Sequence, residues 1–484
     1  LVDAMPLLKT AAVSDVTVQA EVAQSRPNLN TKGEAYIDDF ESSERPESLS
    51  VFRTRWKPAS PPEVIGLNST SRGRTIWYNP FDRVRRADIW PGQEDQVEAQ
   101  ENLTDVLAIE VTAGDDASET WGGITTAWSG GIRDFSKSKF LEVWLRGEEG
   151  TLHIDLGAID EDVNEDGVRN TEDWPFPGRA TGDGLVSPEE DIGIDGRNDR
   201  AELDYYLTVA VDKVDTSGLS QDQKEQQFRS LSEYEGRDPK DPEGDNFDFD
   251  DRDRNDTSHI NGTEGNLRSP GGQKPDTEDL NNDGILNTSN DYFHHVIRIA
   301  DDPEVPGSRS PAGWRLFRLR LYDSAVERVG KPDSSRIEYG RLVLVSPPGA
   351  SGQRSIEIAK IEIIGNEWQE DDIEVLEGGL PVGEQENFNI TTVGTDENLS
   401  YRPPPKVKVR QRTTGSRALE REQSLVLEYE NLEPDHQASA TRILTKNTDY
   451  TKYTRLRMWV NGEEEDLAYV VDQDSSELEV FVRF

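Results

Sequence analysis

Cysteine is absent from this 484-residue chain, which excludes disulfides, thiolate metal sites and cysteine nucleophiles. The absence leaves the compartment open. Basic residues are also scarce: 53 Lys plus Arg face 96 Asp plus Glu, a formal net charge of −43. So acidic a chain repels phosphate backbones and anionic lipid surfaces, which argues against nucleic-acid binding. Calcium and basic partners are its natural counterions. No apolar run reaches the roughly 18 residues a transmembrane helix needs. The opening Leu1-Val-Asp-Ala-Met5 has no signal-peptide character, and a start at Leu reads as a chain whose true N-terminus lies upstream.

Histidine is nearly as rare, at five: His153, His259, His294, His295 and His436. No His-Glu-x-x-His, Gly-x-Ser-x-Gly elbow or phosphate loop occurs, and Trp128-Ser129-Gly130-Gly131 lacks the first glycine of an elbow. Neighbouring residues of a strand point to opposite faces, so His294 and His295 cannot jointly chelate a metal. A non-catalytic protein is the expectation. No carboxylate pair can be singled out for glycoside hydrolysis in so acidic a chain.

What is present is a passage used twice. Asp134-Phe135-Ser-Lys137-Ser-Lys-Phe-Leu141-Glu-Val143-Trp144-Leu145 returns as Asp449-Tyr450-Thr-Lys452-Tyr-Thr-Arg-Leu456-Arg-Met458-Trp459-Val460. Each copy continues to Gly-Glu-Glu, at Gly147 and Gly462, and each follows a matching segment, Leu107–Val111 or Leu425–Tyr429. Apolar and polar residues alternate in both, predicting strands with one face on a core and the other in water. A repeat on this scale is a domain appearing twice. The second copy stops at Phe484 inside what reads as a strand, as in a piece of a longer protein.

Further strands are expected at 74–78, 106–112, 122–128, 139–146, 151–156, 292–299, 314–322, 337–345 and 355–364, with one helix over Asp222–Tyr234. Short strands, dense turn residues (39 Gly, 26 Pro) and little helical period indicate an all-β chain. Its expected fold is an antiparallel β-sandwich with long acidic loop insertions. The boundaries read as 1–35, with a strand at Val16–Val22; 36–366, the first sandwich; 367–405, an acidic and Pro-rich linker; and 406–484, a truncated second sandwich.

The acidic loops carry the chemistry. Asp162-x-Asn164-x-Asp166-Gly167-Val168-x-Asn170-x-x-Asp173 has calcium-loop spacing at positions 1, 3, 5, 7, 9 and 12. Alternate side chains of a tight loop converge there, glycine at position 6 permits the turn, and position 7 gives a backbone carbonyl. Asp279-x-Asn281-x-Asp283-Gly284-Ile285-x-Asn287 repeats the pattern, with Asn290 at position 12 or Asp291 one beyond. A looser third candidate runs Asp191, Asp195, Asp199, Glu202. Asp-Gly-Asn turns also form without any ion, as solvated loops. Trp174-Pro175-Phe-Pro177 bars an exiting helix after the first loop. The expected role of calcium is therefore structural, stiffening strand-flanked loops. The run Asp245–Asp256 lacks this spacing and reads as a solvated acidic tract. Trp121, Trp128 and Trp144 could line a sugar-binding face, but their setting favours sandwich core.

The residues resemble a known family. Val2-Asp-Ala, Glu21-Val-Ala23-Gln, Tyr36-Ile-Asp-Asp-Phe-Glu41, Trp56-Lys-Pro-Ala-Ser-Pro61, Trp77-Tyr78, Asn261-Gly-Thr-Glu-Gly-Asn266, Pro275-Asp-Thr-Glu-Asp-Leu-Asn281 and Lys360-Ile-Glu362 through Trp368 are similar to successive landmarks of the SprA (Sov) family of gliding motility and secretion. The tract Ser217–Asp256 matches that pattern loosely. The resemblance implies a type IX secretion translocon: a giant β-barrel in the outer membrane that releases folded cargo proteins beside a small outer-membrane barrel partner. Residues 1–35 would then be the tail of transmembrane barrel strands. Valines 16, 18 and 22 with Ala20 would face lipid, and Thr17, Gln19 and Glu21 the lumen. The sandwiches would be jelly-roll-like, of carbohydrate-binding-module type, and would lie on the extracytoplasmic face, shaping or capping the pore. Two alternatives rest on the residues alone: a secreted carbohydrate-binding protein with tandem sandwiches, and a calcium-stiffened surface adhesin.

Overall fold

The computed structural model describes residues 46–90, 102–112, 119–173, 182–187, 190–193, 195–248, 257–261, 267–269, 272–346, 352–365, 368–376, 381–383, 386–394, 398, 401–402, 423–433, 435–442 and 458–460. The chain divides into two compact units, Asp39–Ile443 and one made of Leu1–Asp38 with Leu444–Phe484. In the latter the described residues are Met458, Trp459 and Val460, all exposed. The Val16–Val22 strand, the barrel-strand tail and most of the second sandwich lie outside the described residues.

Twelve strands build the two large sheets of the larger unit: β1 (Glu47–Leu49), β2 (Lys57–Pro58), β3 (Arg74–Tyr78), β4 (Leu107–Thr112), β5 (Thr120–Ala127), β6 (Ser138–Gly147), β7 (Thr151–Ala158), β8 (Asp291–Arg298), β9 (Arg315–Arg320), β10 (Glu327–Val329), β11 (Tyr339–Ser346) and β12 (Gln353–Gly365). One sheet runs β9-β6-β12-β4-β3, with β1 added along β12, and the other runs β10-β8-β7-β11-β5-β2. Every pairing within these two sheets is antiparallel. All nine strands expected from the alternation form. The crossovers make the antiparallel, jelly-roll-like β-sandwich.

Period-two patterning fills the space between the sheets. Leu141, Val143 and Leu145 of β6 and Leu107, Ile109 and Val111 of β4 meet Leu152, Ile154 and Leu156 of β7 and Leu342 and Leu344 of β11 in one core. The opposite face departs from expectation. Alternation predicts that it meets water, yet Glu110, Glu142 and Trp144 are buried. Ile89, Trp90, Trp314 and Leu316 cover Trp144 in a second apolar cluster, with Trp90 edge-on to it at 6.2 Å. A hairpin of β13 (Asn387–Gly394) and β14 (Gln423–Glu430) lies beyond. Arg318 joins the two, donating from Nε to Glu142 at 2.6 Å and from Nη1 to Thr391 Oγ1 at 2.6 Å. The covering elements are distant in sequence, so β6 alone cannot reveal them. Strand β13 also falls inside the stretch read as a linker.

Strands β7 and β8 are paired from Ala158–Asp291 to Thr151–Arg298. Residues 159–290 are thus one excursion from the end of a hairpin. It contains α1 (Asp199–Val209) and α2 (Gln221–Ser230). Helix α2 is the expected one, opened by a Ser220/Gln223 capping box. Helix α1 was hidden in the third loop candidate. Leu203, Leu207 and Phe228 give the pair a small core of its own.

Candidate cation-binding loops

The first two loops fold alike. Asp162 accepts the N–H groups of Asp166 and Gly167 at 3.1 and 2.8 Å; Asp279 accepts those of Asp283 and Gly284 at 3.0 and 2.7 Å. Position 4 is left-handed in both (Glu165 φ 64°, Asn282 φ 59°), as is the glycine at position 6 (Gly167 φ 72°, Gly284 φ 84°). That glycine conformation carries no side-chain penalty, which is why the spacing demands it. Asn164 and Asn170 converge on Asp166 Oδ2, each at 3.3 Å, and Asn281 and Asn287 on Asp283 Oδ2 at 3.1 and 3.5 Å. Val168 and Ile285, at position 7, are exposed side chains whose contribution would be the backbone carbonyl.

The loops also brace each other. Glu278, just before the second loop, accepts the N–H groups of Val163 and Asn170 at 2.9 and 2.8 Å. Glu161, just before the first, accepts those of Leu280 and Asn287 at 3.1 and 3.0 Å. A backbone bridge between Thr171 and Thr277 ties them further. Burial pushes the Glu278 carboxyl up to about 7, against the lowering effect of its two N–H donors and with repulsion from Asp162 and Asp166 adding to it. Both glutamates escaped the spacing argument. Their one signal is a Glu directly before each loop's first Asp.

Position 12 does not close either loop. Asp173 accepts the Gly184 N–H at 3.0 Å, Asn290 binds Asp160 N and Glu63, and Asp291 accepts the Lys331 N–H at 2.6 Å. Pairing of 171–172 with 276–277 carries Asp173 away, and Asn290 and Asp291 are drawn into the start of β8. Each loop retains two Asp, two Asn and one carbonyl. This all-oxygen set fits Ca²⁺, with water completing the six to eight ligands.

The third candidate is rearranged. Asp199 and Glu202 stand in the first turn of α1 behind the Asn198 cap, not in a loop. Carboxylate oxygens of Asp195, Glu202 and Asp245 all lie within 4.8 Å of one another, as do those of Asp199, Glu202 and Asp241; Asp191 is in neither group. Burial, reinforced by neighbouring carboxylates, pushes Glu202 up to about 9 and Asp245 up to about 8. Sequence spacing missed Asp241 and Asp245, which arrive from some forty residues downstream of the loop.

The histidines on the β7 and β8 strands serve the sheet. On its outer side His153 Nδ1 meets His294 Nε2 at 3.1 Å, His294 Nδ1 meets Asp155 at 2.6 Å, and Arg341 Nε donates to Asp155 at 2.7 Å. His295 turns to the other face and bonds Leu321 O at 3.2 Å. Burial and neighbouring positive charge push His153 down to about 4. Arg341 and His294 hold Asp155 below the usual carboxylate range although burial opposes them. Trp121, Trp128 and Trp144 are all buried.

Fold and loops together define an antiparallel β-sandwich carrying an acidic, loop-rich excursion. The chain belongs to the SprA N-terminal family, described as motility related/secretion protein, whose model matches residues 206–484. The matched range takes in the Asn261, Pro275 and Lys360 landmarks and both β13 and β14. Among curated proteins nothing matches this chain. Similar solved structures include a family 11 carbohydrate-binding module from Clostridium thermocellum in complex with a β-1,3-1,4-mixed-linked tetrasaccharide. It has 7% identity and a TM-score of 0.24, covering 66% of this chain and 95% of that one. Among the described residues no helix is long and apolar enough to cross a membrane, which says nothing of β-barrel strands.

Proposed function

We propose that this chain is a non-catalytic, extracytoplasmic portion of a SprA-like outer-membrane translocon for type IX secretion and gliding motility. It shapes or caps the protein-conducting barrel. The observation that carries this reading is the family match over 206–484, which spans the end of the first sandwich and the repeated passage after it. The chain would reach the outer membrane through flanking barrel strands, and its partners would be a small outer-membrane barrel and secreted cargo proteins. Its contribution would be shape. Twelve antiparallel strands with both faces of the central ones buried make a stiff body, and calcium in the Asp162 and Asp279 loops would stiffen the excursion.

Burial of Trp121, Trp128 and Trp144 disfavours the secreted carbohydrate-binding alternative, which needs such rings exposed. Among the described residues none of Asp155, His294 and His153 is hydrogen-bonded to a hydroxyl side chain, and Arg341 neutralises Asp155. This favours a structural role over catalysis.

The test is done in the source cell. A chromosomal Asp155→Ala, Arg341→Ala variant should lower the amount of secreted protein in the medium and impair surface motility where the cell has it. Outer-membrane abundance of the whole protein is measured alongside, so that a missing protein is not taken for a failed one. Normal secretion with a demonstrably unfolded sandwich would contradict the reading. Recovery of the chain free in the medium on added polysaccharide would favour the carbohydrate-binding alternative.

A further inference from the structure

A cluster of carboxylates is often only a solvated face, but this one is buried. Glu202 is 2% exposed and Asp245 6%. Asp245 Oδ2 has no hydrogen-bond partner, and a carboxylate oxygen of Asp245 lies within 4.8 Å of those of Asp195 and Glu202. The approach is close because position 193 is glycine: a Cβ there would meet Asp245 Oδ2 at 1.9 Å. Asp195 is paired with Arg197 at 2.6 Å. Among the described residues neither Glu202 nor Asp245 is paired with a basic side chain, and Glu202 accepts a long 3.3 Å bond from the Glu243 N–H.

Buried like charges held this close repel strongly, so a chain that keeps them together must either protonate them or hold a cation among them. Three segments would otherwise be pushed apart: the 190–197 turn, the first turn of α1, and the 238–245 turn, where Asp241 accepts the N–H groups of Gly244 and Asp245. The donors are all hard carboxylate oxygens, with no imidazole or thiolate. That selects Ca²⁺ over Zn²⁺ or Cu²⁺, and the number of protein carboxylates argues against Mg²⁺, which keeps most of its waters.

We propose that Asp195, Glu202 and Asp245 ligate a calcium ion that fastens the start of α1 to the 190–197 and 238–245 turns, with Asp199 and Asp241 flanking it across Glu202. This site is separate from the Asp162 and Asp279 loops and does not depend on the secretion reading. It joins the third loop candidate to the edge of the acidic tract.

The whole chain is purified, stripped with chelator and titrated with Ca²⁺ alone by calorimetry. Glu202→Gln and Asp245→Asn should each bind one calcium fewer than the parent, whereas an Asp162→Asn, Asp279→Asn variant should keep this site and lose others. The melting temperature gives a second readout. In Ca²⁺ Glu202→Gln should lower it relative to the parent, because a ligand is lost; in chelator it should not, because there is no ion to lose. Should either variant fail to fold, Asp195→Asn, at the half-buried edge of the cluster, reports the same stoichiometry. Unchanged calcium stoichiometry and affinity, or a melting shift of one sign in both conditions, would overturn the proposal.

Discussion

The sandwich and the excursion at 159–290 are stabilised by opposite means. In the sandwich, apolar side chains alternate so regularly that two six-stranded sheets close over one core, and the fully buried Asp155 is paired with Arg341 at 2.7 Å. Among the described residues of the excursion the helices share a small apolar cluster around Leu203, Leu207 and Phe228, while carboxylates cap backbone N–H groups or face one another. Apolar burial is intrinsic to the chain, so the sandwich should form in any ordinary solution. If the proposed sites hold calcium, the ion's binding energy is part of the excursion's stability, and the excursion should depend on what is dissolved around it.

Several measurements would break or sharpen this contrast. The largest effect should come from Asp155→Ala, which strands the fully buried Arg341 guanidinium; a loss of ~3–5 kcal/mol is expected by urea unfolding. Leu141→Ala, deleting a core side chain at 0% exposure, should cost ~2–5 kcal/mol. Both losses should be the same with and without chelator. Calcium should behave the other way. At a concentration 100-fold above its dissociation constant it should add about 2.7 kcal/mol per site, and Asp162→Asn, Asp279→Asn should abolish the contribution of those two loops. An identical melt in calcium and in chelator would remove the distinction between the regions.

Acid should act on the sandwich gradually. His153 has its folded value pushed down to about 4 from 6.5, so the unfolded chain binds more protons and stability rises with pH. The contribution is present above pH 6.5 and is lost as pH falls toward about 4. His153→Gln, followed in chelator to exclude calcium effects, should flatten that part of the curve. The smallest effect belongs to the exposed Arg298 guanidinium, 3.6 Å from Asp302; Arg298→Ala should change stability by less than ~1 kcal/mol.

The same contrast explains what could be read in the sequence. Leu141, Val143 and Leu145 identify β6 because a strand's period is local and each step reverses the face. Burial of Glu142 and Trp144 on its other side was not legible, because Trp90, Trp314 and Thr391 arrive from remote segments. Strand β1 was equally invisible, since Glu47–Leu49 is a strand only through pairing with Ile361–Ile363. The Asp162 and Asp279 loops were legible because tight turns write their geometry into adjacent positions. Their bracing by Glu161 and Glu278 was not, since each acts on the loop of the other. At Asp191–Glu202 the loop template misled: a capping Asn198 followed by acids in the first turn is also how a helix begins.

The most direct test of a self-sufficient sandwich joined to a cation-dependent excursion is hydrogen exchange on the intact chain, in Ca²⁺ and in chelator. The account predicts that chelation strips protection from 159–173, 195–209 and 276–290 while β4, β6, β7, β11 and β12 keep theirs. Uniform loss across both regions, or no change in either, would contradict it.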